Sequence, residues 1–84
     1  MARCQYHAKY RQIGRRIAFY RKLRDLSQDD LAAKIGISKS YLSKIEAANS
    51  DISFSLDVLF AIAEGVELDV VVFFLPINEN LAHG

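Results

Sequence analysis

The chain has 84 residues, with 11 Lys and Arg against 10 Asp and Glu, a net charge of +1 and one cysteine. That length makes one small domain. A lone Cys4 cannot close an internal disulfide, which suits a reducing, cytoplasmic setting and leaves extra stability to dimerisation. Met1 to Gln5 lacks the apolar core of a signal peptide, and the longest apolar run, Val70 to Leu75, is far too short to span a bilayer.

The charge is unevenly spread. Residues 1–24 carry eight Lys or Arg and no acid, and residues 25–84 carry three Lys against ten acids. A basic N-terminal half steers a chain toward polyanions. The plainer reading of these arginines is a solvated helix face.

A first helix is predicted from Tyr6 or Lys9 to Arg24. Ile13, Ile17 and Tyr20 recur at helical spacing and give one buried stripe. Phe19 and Leu23 make a smaller apolar pair expected to pack internally. Ser27 caps a second helix running to Ile35, with Asp29 and Asp30 in the first turn where the dipole favours anions. Leu31 and Ile35 face inward, and Ala32 is small enough for a steep helix crossing. Gly36 supplies a left-handed turn residue, and Ser38 caps a third helix from Lys39 to Ala47. Leu42 and Ile45 line its inner face, and Lys39, Ser40, Ser43 and Lys44 its outer face. Two short helices about such a turn are the layout of a helix-turn-helix, whose second helix enters the DNA major groove.

Residues 48–53 read as a polar loop. Ser53 or Ser55 caps a fourth helix from Leu56 to Gly65. The last run, Asp69 to Leu75, is β-prone in composition but has no polar face, so its period leaves helix and strand open. Val70, Val71, Phe73 and Phe74 are more apolar surface than so small a domain hides, which points to a homodimer interface.

The pattern Ile13-Gly14-x-x-Ile17, Leu26-Ser27-Gln28-x-x-Leu31-Ala32, Ile35-Gly36-Ile37-Ser38 and Tyr41-Leu42-Ser43-x-Ile45-Glu46 resembles the Cro/CI-like (XRE) helix-turn-helix family, from Ile13 to Leu75. The resemblance implies an all-α, compact, five-helix lambda-repressor-like DNA-binding domain, with Asp69 capping a short fifth helix. The chain is then expected to divide into an N-terminal basic arm at residues 1–8, the domain at 9–76 with the helix-turn-helix at 27–47, and a flexible tail at 77–84. The resemblance further bears on the site. It implies that Lys39, Ser40, Tyr41 and Lys44 touch base edges, that Gln28 holds a phosphate, and that Arg21 pairs with Glu46 as a structural ion pair. The family usually follows that glutamate with Arg, Gly or Lys residues that bind phosphate. This chain reads Ala47-Ala48-Asn49-Ser50-Asp51 instead. Asn49 and Ser50 can donate to phosphate and Asp51 repels it, so Arg3, Lys9, Arg11 and Arg15 are the expected supplement.

The function expected is a sequence-specific regulator of repressor type that binds a palindromic operator in double-stranded DNA as a homodimer. The alternatives are an antitoxin, with a toxin protein as partner, or the controller protein of a restriction–modification system. No enzyme chemistry, cofactor, metal site or membrane partner is expected. His7 and His83 have no paired carboxylates nearby in sequence, and Cys4 with His7 supplies two ligands where a zinc site needs four.

Overall fold

The computed structural model describes residues 5–77. Four α-helices follow one another: α1 His7–Leu23, α2 Gln28–Ile35, α3 Lys39–Glu46 and α4 Leu56–Val66. A five-residue 3₁₀ segment, Val70–Phe74, comes last. No strand occurs among the described residues. The all-α class holds, but the fifth element is neither an α-helix nor a strand. Pro76 follows closely and Leu75 is already extended, at ψ 145°, as residues before a proline nearly are. Five residues allow little more than one tight turn. Asp69 caps it, its carboxylate accepting the Val71 N–H at 2.9 Å.

The ends of the helices follow from local chemistry. α1 begins at His7, so the last two residues of the segment expected as an arm belong to the helix. Its C-terminal turn closes with Asp25 at φ 59°, a left-handed conformation that Asp tolerates better than most side chains. α2 starts with a full capping box: the Ser27 hydroxyl accepts the Asp30 N–H at 2.9 Å and the Asp30 carboxylate accepts the Ser27 N–H at 3.1 Å. These bonds hold the Asp30 carboxyl below its ordinary pKa, the backbone bond being the larger cause. Gly36, at φ 79°, turns the chain between α2 and α3. Ser38 accepts the Tyr41 N–H and starts α3. Ser55, not Ser53, caps α4 by accepting the Val58 N–H.

The core is the meeting of the inner faces: Ile17 from α1, Leu31 and Ala32 from α2, Leu42 and Ile45 from α3, Leu59, Ile62 and Val66 from α4, and Phe73 from the 3₁₀ segment. Two glycines set the closest approaches. A Cβ on Gly14 would collide with the backbone carbonyl oxygen of Ile45, so α1 and α3 touch backbone to backbone there. A Cβ on Gly65 would stand 2.5 Å from Leu31 Cδ1 and 2.8 Å from Ile35 Cγ2. The Phe19–Leu23 pair does not pack as one unit: Phe19 meets the edge of Tyr20 at 5.0 Å, and Leu23 is exposed.

Much of the basic half of the chain is structural. Arg24 donates to the carbonyls of Val66 at 2.9 Å and Glu67 at 3.2 Å, and Lys34 donates to that of Gly65 at 2.8 Å. Both cations therefore sit on the carbonyl end of α4, where the helix dipole favours them. Arg16 donates to the Phe73 carbonyl at 3.1 Å and ties the 3₁₀ segment to α1.

Candidate nucleic-acid interface

α3 presents two unlike faces because its apolar residues recur at three-residue spacing. Leu42 and Ile45 are locked in the core, and Lys39, Ser40, Ser43 and Lys44 are exposed on the other side. Tyr41 is half-buried and packs against the core's edge. At about 1.5 Å per residue, eight residues span about 12 Å, close to the width of the B-DNA major groove. Lys39 lies 3.8 Å from Asp29 at the start of α2, so the two helix N-termini meet on this surface.

The angle of α3 is held by one cluster. Arg21 Nε and Nη2 donate to the two oxygens of Glu46 at 2.8 and 2.9 Å, and Arg21 Nη1 donates to the Leu26 carbonyl at 2.7 Å. Gln28 Nε2 adds a third donor to Glu46 at 2.9 Å. The last residue of α3 is thereby tied to α1 and to the first residue of α2. One N–H of the Gln28 side chain, the group expected on phosphate, is directed at Glu46. The Gln28 backbone N–H remains one of the first-turn groups of α2 that have no carbonyl partner within the helix, which is how helix N-termini take phosphate.

The loop after α3 also has partners that chain order hides. Arg11 donates to the Ser50 carbonyl at 2.8 Å and to Asp51 Oδ1 at 2.7 Å. His7 Nδ1 stands 3.6 Å from the same oxygen. The Tyr10 ring meets Phe54 edge-on at 5.0 Å and anchors the far end of the loop. Asn49 is exposed and Ser50 half-buried, the Ser50 hydroxyl accepting the Ile52 N–H at 3.2 Å. The basic residues grouped together in the sequence separate here. Arg11 lies over the loop, and Lys9 lines an apolar groove of about 470 Å³ elsewhere on α1. Arg3 lies outside the described residues.

The expected dimer surface divides as well. Val71 and Phe74 are exposed and Val70 is half-buried. Phe73 is fully buried, its ring against Tyr20 at 6.1 Å, so it fills the protomer's own core and does not face a partner. Phe74 shares its groove with Tyr6, Leu56 and Leu59.

Sequence reasoning reached Arg11 as a charge supplement for the loop but passed over His7 and Asp29 as neighbours of this surface, and Gly14 as the contact that seats α3. Only Gly14 left a signal, as part of the matched pattern. The Arg11–Asp51 pair spans 40 positions, a separation no local spacing reveals. Among the described residues no three His, Cys, Asp or Glu side chains converge as metal ligands. No helix there is long and apolar enough to cross a membrane.

Comparison with known proteins agrees with this geometry. The helix-turn-helix family model matches residues 17–73. An uncharacterized HTH-type transcriptional regulator of Methanocaldococcus jannaschii is 32% identical over 59 residues, covering 70% of this chain and 89% of the relative. Among solved structures, the restriction-modification controller protein C.AhdI from Aeromonas hydrophila superposes with a TM-score of 0.73 at 25% identity, covering 80% of this chain and 98% of that one. An HTH_3 family transcriptional regulator from Vibrio cholerae superposes with a TM-score of 0.72 at 34% identity, covering 80% of this chain but 36% of the longer regulator. The chain belongs to the helix-turn-helix family of DNA-binding transcriptional regulators.

Proposed function

We propose that this chain is a sequence-specific, repressor-type regulator that binds a palindromic operator as a cytoplasmic homodimer, each α3 lying in one major-groove half-site. The observation that carries this reading is the two-faced α3: four polar side chains point outward from a helix whose inner face and last residue are clamped to α1 and α2. A base-reading helix must be rigid, because hydrogen bonds to base edges tolerate little misplacement. Lys39 and Lys44 suit guanine O6 and N7, and Ser40 and Ser43 suit either base type. Tyr41 suits a sugar or a thymine methyl. The Gln28 backbone N–H, Asn49 and Ser50 hold phosphates on either side of α3. Val71 and Phe74, with Val70 behind them, form the two-fold contact, which sets the half-sites about 34 Å apart.

Selection of bound sequences from random duplex DNA tests this. A recovered palindrome with half-sites one turn apart supports it. Recovery of no preferred sequence removes the base-reading role.

A second reading, the controller protein of a restriction–modification system, is favoured by the match to nearly the whole length of C.AhdI. Its test is whether the selected operator lies upstream of this chain's own gene and a neighbouring endonuclease gene.

A further inference from the structure

The loop after α3 leaves the recognition helix at one end, and a helix that fills the groove has a phosphate wall at each end. The polar groups of this loop therefore face the DNA backbone if α3 lies in the groove. The structure places a cation and an anion together there. Arg11 stands one turn after His7 on α1, so both side chains overhang the loop. The Arg11 guanidinium is fixed at one edge by the Ser50 carbonyl at 2.8 Å and turns another N–H to Asp51 Oδ1 at 2.7 Å. His7 Nδ1 approaches the same oxygen at 3.6 Å. Asp51 is itself 72% exposed, so water or another anion can reach the pair. The Ser50 hydroxyl accepts from the Ile52 N–H, which leaves its hydrogen to give away.

A carboxylate and a phosphodiester ask the same thing of a guanidinium: two in-plane N–H groups directed at anionic oxygens. We infer that Arg11, with His7 and the Ser50 hydroxyl beside it, is a backbone-phosphate site for duplex DNA that the chain's own Asp51 carboxylate occupies. The inference rests on the DNA-binding reading above. Asp51 then acts as an internal competitor. Every duplex, whatever its sequence, must displace it to reach Arg11, so it lowers binding to all DNA and leaves discrimination to α3. A chain whose first 24 residues carry eight Lys or Arg and no acid thereby avoids holding non-specific DNA too tightly.

The test is a double-mutant cycle. Asp51→Asn, Arg11→Gln and the double variant are compared with the unaltered protein on the selected operator and on an unrelated duplex, across a salt series. Each freed phosphate contact adds about 0.9 to the slope of log affinity against log salt, which is about eightfold in affinity at 0.1 M salt. Asp51→Asn should therefore strengthen both duplexes about eightfold and steepen both slopes by about 0.9. With Arg11→Gln present, the same change should give no such gain. Melting curves, and Asp51→Ser as a second variant, separate a lost loop from a freed arginine. Equal gains with and without Arg11 would mean that Asp51 acts by charge alone and would overturn the inference, as would no gain or a loss with the fold intact. An unaltered protein that binds no duplex at all overturns the DNA-binding reading, and this inference with it. One that binds while Asp51→Asn changes nothing overturns this inference only.

Discussion

Arg21 and Glu46 meet in a two-pronged ion pair, with bonds of 2.8 and 2.9 Å and side chains only 8% and 5% exposed. The Leu26 carbonyl takes a further Arg21 N–H, and Gln28 adds a donor to Glu46. Breaking one side of such a pair leaves a buried charge uncompensated, at a cost of about 3–5 kcal/mol. For a domain of this size that is a fall in melting temperature of roughly 12 °C or more. Glu46→Ala should show it by thermal melting, and a curve unchanged within a degree or two would mean the pair is solvated in solution. Gln28→Ala removes one bond to a charged group and should cost about 1.5–3 kcal/mol.

Gly14→Ala should destabilise, although alanine is the better helix former by about 1 kcal/mol. Its Cβ would meet the Ile45 carbonyl oxygen, which is backbone and cannot swing aside. α1 and α3 must part, and the Arg21–Glu46 pair lies on the same helix contact. Gly65→Ala meets side-chain atoms, Leu31 Cδ1 and Ile35 Cγ2, and no backbone, so its cost should stay near the ordinary overpacking range of about 1–3 kcal/mol. Urea unfolding of the two variants should rank Gly14→Ala as the worse.

Base preference should move with α3 and not with α2. Losing one good base contact costs about 1–3 kcal/mol and relaxes preference at one position. Lys39→Ala and Ser40→Ala should therefore change which operator bases are favoured. Gln28→Ala should lower affinity with little change in which bases are preferred, because its side chain bonds to Glu46 and touches no base. Competition between operator variants measures both. Equal weakening on every sequence by all three variants would remove the base-reading role of α3.

Val71→Lys with Phe74→Lys should yield monomers that bind the operator weakly, since these exposed side chains can be charged without opening the core. Phe73→Lys is the wrong probe, because it would unfold the protomer from within. Sedimentation that shows an unchanged dimer would place the interface elsewhere.

The capping box makes part of the stability pH-dependent. Hydrogen bonding to Ser27 lowers the Asp30 pKa from 3.8, so the folded state holds this carboxylate ionised more firmly than the unfolded chain does. That contribution is complete above the unfolded value and disappears as pH falls through the lower folded one. Asp30→Ala should lower stability near neutrality, because it removes the carboxylate that accepts the Ser27 N–H. The gap between the variant and the unaltered protein should narrow below pH 3.8. A gap that stays constant into acid would show that Asp30 is not part of the box in solution.

The amino-acid sequence by itself determined the helices and their order. Caps at Ser27 and Ser38 and the turn at Gly36 are local signals, because each acts through hydrogen bonds or backbone freedom within a few residues. The buried faces of α2 and α3 were equally legible, since helical spacing alone puts Leu31 beside Ile35 and Leu42 beside Ile45. The Arg21–Glu46 pair was readable through the resemblance alone, as 25 positions separate the two residues. Tertiary structure decided the rest. Val70–Phe74 had no polar side to declare its period, so its 3₁₀ form and the burial of Phe73 followed from packing on Tyr20 and the core and from the stop at Pro76. The basic half of the chain looked like one electrostatic feature. Folding sends Arg16 and Arg24 to carbonyls, Arg21 to Glu46 and Arg11 to Asp51, because a guanidinium's partner is whichever acceptor the fold brings within 3 Å or so, and charge counted along a chain carries no such distance.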